Sequence, residues 1–141
     1  EFIDNVITIG ASSLYFNENL PASFSNYGQT NVDIFAPGVD VYSTIPKDEY
    51  EPLSGTSMAA PSTAGVAALI RSYYPGLTAK NVKYILMNSG VKITFDVIKP
   101  GSQTEENQKG ELISFSELSV SGRIINAYNA LRLADFLSSK K

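Results

Sequence analysis

The chain has 141 residues, carries 11 Lys and Arg against 14 Asp and Glu for a net charge of −3, and contains neither cysteine nor histidine. That length supports one domain with a real core, while the small, scattered charge argues against a nucleic-acid partner. No apolar run is long enough to span a bilayer, and without cysteine there is neither a disulfide nor a thiolate metal site.

Glu1-Phe2-Ile3-Asp4 runs straight into a strand pattern with no signal peptide before it, and reads as the interior of a longer polypeptide. Val6-Ile7-Thr8-Ile9-Gly10-Ala11 is a nearly continuous run of β-branched residues, the pattern of a strand buried on both faces of a parallel sheet. Asn17 to Gly28 is polar and turn-rich, with Phe24 and Tyr27 as the expected anchors. Asp33-Ile34-Phe35 is a short apolar segment stopped by the turn signal Pro37-Gly38. Val39 to Thr44 alternates with a period of two, predicting a half-exposed strand. A charged loop, Ile45 to Glu51, follows, and Tyr50 to Ser54 returns as a second strand.

The centre of the chain is Ser54-Gly55-Thr56-Ser57-Met58-Ala59-Ala60-Pro61, leading into Ser62 to Ile70. It predicts a turn feeding a helix of small and apolar residues; a helix with no polar face is a buried one. Ser57 then stands at the positive end of that helix, beside unpaired backbone N–H groups. A hydroxyl nucleophile gains most there, because the same groups can hold an oxyanion. Gly55 would let the backbone turn sharply or approach a substrate. Pro61 cannot donate to the carbonyl of Ser57, which loosens the first turn. The same letters also fit a plain core helix capped by Thr56 or Ser57.

After Tyr74-Pro75-Gly76, Thr78 is an N-cap for a helix through Met87, with Val82, Ile85 and Leu86 on one face and Gly90 at its end. Phe95 to Ile98 and Leu112 to Phe115 read as two short strands around a polar excursion, residues 99–111. Glu105 and Glu106 within it belong to a solvated loop rather than a cation site. Asn126 caps a last helix with Ala127, Ala130, Leu131 and Ala134 on one stripe, and residues 138–141 form a frayed tail.

Gly55-Thr56-Ser57-Met58-Ala59-Ala60-Pro61 and the small-residue helix behind it resemble the nucleophile segment of subtilisin-like serine proteases, the subtilases. Three further stretches resemble that family in the right order: Val6 to Ala11, Ala22-Ser23-Phe24-Ser25-Asn26-Tyr27-Gly28, and Asp33 to Ser43 around Ala36-Pro37-Gly38. The resemblance implies an α/β fold: a partial subtilisin-like domain with a mostly parallel sheet remnant, a buried central helix after the nucleophile and two further packing helices. Residues 1–141 would be the C-terminal portion of one catalytic domain, with 99–111 a surface insertion. The resemblance makes Ser57 the acyl-forming nucleophile, supported by Gly55, Thr56 and Met58, with the Ser57 N–H serving the oxyanion. Many subtilases carry His where this chain has Ser62, a position behind the helix rather than in the triad. Met58 would be oxidisable and would then crowd the site.

The mechanism also needs a base and a carboxylate to orient it. The chain has no histidine, and the family's Asp, His and oxyanion Asn motifs lie upstream of everything matched. Lys47, on an exposed loop, has nothing to place it against Ser57. The expected function is therefore part of a serine endopeptidase acting on proteins or peptides, the chain alone being inactive. The other reading is a catalytically dead, subtilase-derived binding module. An α/β hydrolase is excluded because its elbow needs Gly-x-Ser-x-Gly. The resemblance implies an exported protein, with no metal in this chain and calcium a cofactor of the intact one. Apolar faces normally covered by the missing half would make the isolated chain self-associate or leave it only marginally stable.

Overall fold

The computed structural model describes residues 5–139; the strand-entry reading of Glu1 to Asp4 and the last two residues of the expected tail lie outside them. Val6 to Ala11 does enter a parallel sheet, but the strand proper, β1, is Ile9–Ser12. The Asp33 carboxylate takes the Thr8 N–H at 2.9 Å and the Thr8 hydroxyl at 3.2 Å. A side chain therefore ties down the first half of the run, and the ladder begins only beyond it. β2, Ile34–Pro37, pairs in parallel with β1 from Ile9↔Ile34 to Ser12↔Pro37.

The sheet has four strands in the order β1-β2-β8-β5. β8 (Arg123–Ile124) lies parallel to β2, and β5 (Val91–Lys92) is antiparallel to β8. β8 and β5 are only two residues long. Alternation along β2 sends Ala36 and Phe35 to opposite faces. Ala36 joins Ala11, Ala22 and Ala59 under a helix, while Phe35 packs with Leu20, Val97, Phe115 and Leu118. The second face is thus covered by loops and by an antiparallel pair, β6 (Asp96–Ile98) with β7 (Leu112–Ser114), rather than by helices.

Val41–Ile45 (β3) and Glu49–Leu53 (β4) form a hairpin whose three-residue tip places Lys47 and Asp48 at positive φ. Its outer face is stabilised by Tyr42 stacked on Tyr50 with ring centroids 5.9 Å apart. Helix α1 spans Thr56–Tyr73, α2 Ala79–Ser89 and α3 Ala127–Ser138. α2 begins at a reciprocal cap: Thr78 Oγ1 accepts from the Asn81 N–H, and Asn81 Oδ1 accepts from the Thr78 N–H. Asn126 caps α3 by accepting from the Asn129 N–H at 2.8 Å. Ile70, Leu77, Val82, Ile85, Leu86, Ala130 and Ala134 form the core among the three helices.

Several expectations change. Phe24 and Tyr27 are 50% and 39% exposed; Leu20, Ala22 and Ser25 anchor that loop instead. Ser25 Oγ accepts from the Ala11 N–H, and Ala22 N–H donates to the Ala11 carbonyl, so the loop docks along the edge of β1. Gly90 ends α2 at φ −60°, not in the left-handed region. Glycine is needed there because a Cβ would stand 2.6 Å from the Ile124 carbonyl oxygen. Ser138 is the last residue of α3 and Ser139 closes its end with an N–H bond to the Asp135 carbonyl. Residues 99–111 carry a local hydrogen-bond set, including Ser102 Oγ to the Lys99 carbonyl and Lys99 Nζ to Glu111 at 2.9 Å. That hydrogen-bonded carboxylate holds the Lys99 ammonium above its ordinary pKa.

An ion pair helps to hold the base of the sheet. Lys83 Nζ lies 3.1 Å from Asp33 Oδ2 and donates to the Val6 carbonyl at 2.7 Å, joining α2 to both strands. Asp33→Ala should destabilise the chain by about 2–4 kcal/mol, since it strands a half-buried ammonium and the Thr8 donors together. A urea titration against Asp33→Asn checks this; equal midpoints for Asp33→Ala and the parent chain would contradict it.

Candidate active site

Ser57 is the second residue of α1, and the helix starts where β1 and β2 end. In sheets of this type, sites form outside the carboxyl ends of parallel strands. Three small contacts hold the junction. The Gly38 N–H donates to the Ser12 carbonyl at 2.9 Å, and the Gly55 N–H donates to the Gly38 carbonyl at 2.7 Å. A Cβ on Gly38 would lie 2.8 Å from the Gly55 oxygen, 2.9 Å from Ala11 Cβ and 3.1 Å from Ala59 Cβ. The start of α1 thus lies against the Pro37-Gly38 turn because both sides carry almost no side chain.

Gly55 itself is extended (φ 160°, ψ 160°), and a Cβ there would make only ordinary contacts, with Met58 Sδ at 3.5 Å and the Ser57 nitrogen at 3.7 Å. The chain bends at Gly55 on its way into α1, and the tight approach at this junction belongs to Gly38. Gly55 occupies the cap position, with no side-chain cap bond, so neither Thr56 nor Ser57 serves as the N-cap. The Met58 and Ala59 N–H groups donate to the Gly55 carbonyl at 3.0 and 3.4 Å. Among the described residues nothing accepts from the Thr56 or Ser57 N–H, and the Ser57 hydroxyl, which is exposed, makes no hydrogen bond. Unpaired N–H groups on the first turn are partial positive charges aimed outward.

Pro61 lies inside α1 without ending it. Just past it, Ser62 Oγ donates to the Met58 carbonyl at 3.0 Å and Thr63 Oγ1 to the Ala59 carbonyl at 3.1 Å. Those bonds occupy helix carbonyls next to the one that Pro61 leaves open, that of Ser57. Lys47 sits at the hairpin tip. Among the described residues there is no His/Cys/Asp/Glu group that could hold a metal, and no helix is long and apolar enough to cross a membrane. The sequence singled out Ser57 but not Gly38 as part of its support; the signal was present in Pro37-Gly38, read there as a turn and as the centre of a family-like stretch.

The sequence model of the subtilase family, peptidase S8, matches residues 2–119. The chain belongs to the subtilase family. Among its relatives are subtilisin DY of Bacillus licheniformis, 46% identical over 90 residues that make up 64% of this chain and 31% of that protein. Thermitase of Thermoactinomyces vulgaris is 41% identical over 93 residues, 66% of this chain and 31% of that protein. Among solved structures, the A-subunit of the AB5 toxin from E. coli superposes with a TM-score of 0.68 at 27% identity, over 91% of this chain and 37% of that one. The chain spans about a third or less of the length of the curated relatives it matches. As a subtilase it shares the mixed α/β architecture and the parallel sheet of these neighbours.

Proposed function

We propose that this chain is the nucleophile-bearing part of a subtilisin-like serine endopeptidase, acting on protein or peptide substrates through an acyl-enzyme on Ser57. One observation carries the reading: an exposed, unbonded Ser57 hydroxyl stands beside unpaired N–H groups at the start of a helix that a glycine, not that serine, caps. A serine committed to capping would be accepting a backbone N–H bond. In the proposed reaction Ser57 Oγ attacks the scissile carbonyl and its proton passes to a histidine outside this chain. The oxyanion is held by the Ser57 N–H, and the amine departs with the proton; water then releases the acyl group. Gly55, Thr56 and Met58 shape the approach to Ser57. With no histidine in its sequence, the isolated chain is inactive. A fluorophosphonate should label the intact protein, spare its Ser57→Ala form and leave this chain dark. A folded intact protein that also stays dark would point to a catalytically dead relative.

The same reading accounts for two uncovered surfaces. Helix α1 buries only Ala59, Thr63 and Ile70, leaving Ala60, Pro61, Ala64, Gly65, Ala68 and Leu69 exposed along its other side. Val6 is 51% exposed at the start of the β1 run. We take both to be faces that the rest of the catalytic domain covers. Exposed apolar area of this kind drives association, so the isolated chain should form concentration-dependent oligomers in sedimentation velocity. A monomer at every concentration would contradict the covered-face assignment.

A further inference from the structure

We infer that Asp40 and Ser54 form a latch that positions the Ser57 turn, so that both are positioning residues for the site. Asp40 is a non-glycine residue at φ 51°, a conformation that Asp and Asn tolerate better than other side chains. It stands where the β3–β4 ladder stops: Val41↔Leu53 is the last backbone pair, and Asp40 and Ser54 are the next residues in register. The left-handed backbone turns the chain out of the ladder, and a side chain replaces the missing rung. The Asp40 N–H donates to Ser54 Oγ at 2.9 Å, and the Ser54 hydroxyl reaches Asp40 Oδ1 at 3.4 Å. One residue further on, the Gly55 N–H donates to the Gly38 carbonyl at 2.7 Å.

These two ties are the lateral bonds between the Gly38–Asp40 turn and the Ser54-Gly55 entry to α1. The Gly38–Gly55 tie is backbone only and is set by close packing. The Asp40–Ser54 tie runs from the Asp40 backbone N–H to the Ser54 side chain, with the Asp40 carboxylate as a longer second partner, and it couples an exposed hairpin to a serine three residues away. Losing it leaves the entry held on one bond, free to shift Ser57 Oγ and the Ser57 N–H together. Displacement of a reacting group by about 1 Å can cost about 10²-fold in rate; a loosened rather than displaced turn costs less.

The catalytic readout of this latch rests on Ser57 being the nucleophile; its structural readout does not. The test compares Asp40→Ala, Asp40→Gly, Asp40→Asn and Ser54→Ala in the intact protein. The readouts are kcat and KM on a peptide substrate, the fluorophosphonate labelling rate, and amide exchange over residues 53–58. Ser54→Ala removes both bonds and should lower kcat and the labelling rate by roughly tenfold with KM changed less than about twofold. Asp40→Ala keeps the N–H bond but loses the carboxylate and strains the left-handed backbone, so it should fall less, and the double variant should be close to Ser54→Ala alone. Asp40→Gly keeps the backbone conformation without strain and the N–H bond to Ser54 and loses only the 3.4 Å acceptor, so it should fall least of the three. Asp40→Asn keeps both bonds and should restore the rate. Exchange over 53–58 should quicken in the three loss variants. Parent-level rates and exchange in Ser54→Ala overturn the latch, as does a change confined to KM. If Ser57→Ala still labels, the nucleophile assignment fails by itself. Exchange then decides the latch alone: faster supports it, unchanged overturns it.

Discussion

Ser57→Ala in the intact protein should lower kcat by roughly 10⁶-fold, the size found for the nucleophile of a subtilisin, with a residual rate still about 10³–10⁴ above water. The residue is exposed, its hydroxyl has no hydrogen bond among the described residues, and it lies in the first turn of α1 behind a glycine cap. Removing Oγ therefore deletes the attacking atom and leaves the Ser57 N–H, the helix start and the Gly38 contact as they were. The same geometry predicts that stability hardly moves. A surface substitution without partners changes folding by less than about 0.5 kcal/mol, whereas a capping serine replaced by alanine costs about 1 kcal/mol. Kinetics paired with a thermal midpoint thus separates the two readings of this serine. Lost activity at constant midpoint is the nucleophile; a lowered midpoint with retained hydrolysis is the cap.

Gly38→Ala should be the most damaging single-methyl change near the site. The added Cβ meets the Gly55 carbonyl oxygen at 2.8 Å, Ala11 Cβ at 2.9 Å and Ala59 Cβ at 3.1 Å. None of these is the end of a flexible side chain, so relief requires β1, the Pro37-Gly38 turn or the start of α1 to move. Overpacking of this kind costs about 1–3 kcal/mol. Any such movement also displaces Gly55, two residues before Ser57, so activity in the intact protein should fall along with stability. Urea unfolding of this chain and kcat of the intact protein, measured on the same variant, check both parts. Retained kcat with a lowered unfolding midpoint would mean that the junction supports the fold but does not set the position of Ser57.

Much of this was written in local signals. Thr78 and Asn126 cap the helices that they were expected to cap, because a cap needs only its own residue and the N–H three positions on. Val82, Ile85 and Leu86 are all buried, as their spacing required. The order Gly55-Thr56-Ser57-Met58 marked the candidate site. β5 and β8 were not legible, since two residues show no period, and each exists only because a neighbouring strand offers a ladder.

Phe24 and Tyr27 were expected inside because they are aromatic, yet the loop docks through Ser25 and Ala22 on β1 instead. Helix α1 shows the division most clearly. Its composition calls for cover on most sides, because from Met58 to Ile70 only Ser62 and Thr63 carry polar side chains. Tertiary structure decides that α3 and the sheet cover part of it and leave the Ala60–Leu69 side bare. Composition sums over one segment, whereas burial depends on what the chain brings back against it. The same holds at the site: the local order of residues marked Ser57, and the close approach of Gly38 to Gly55 decided where it stands.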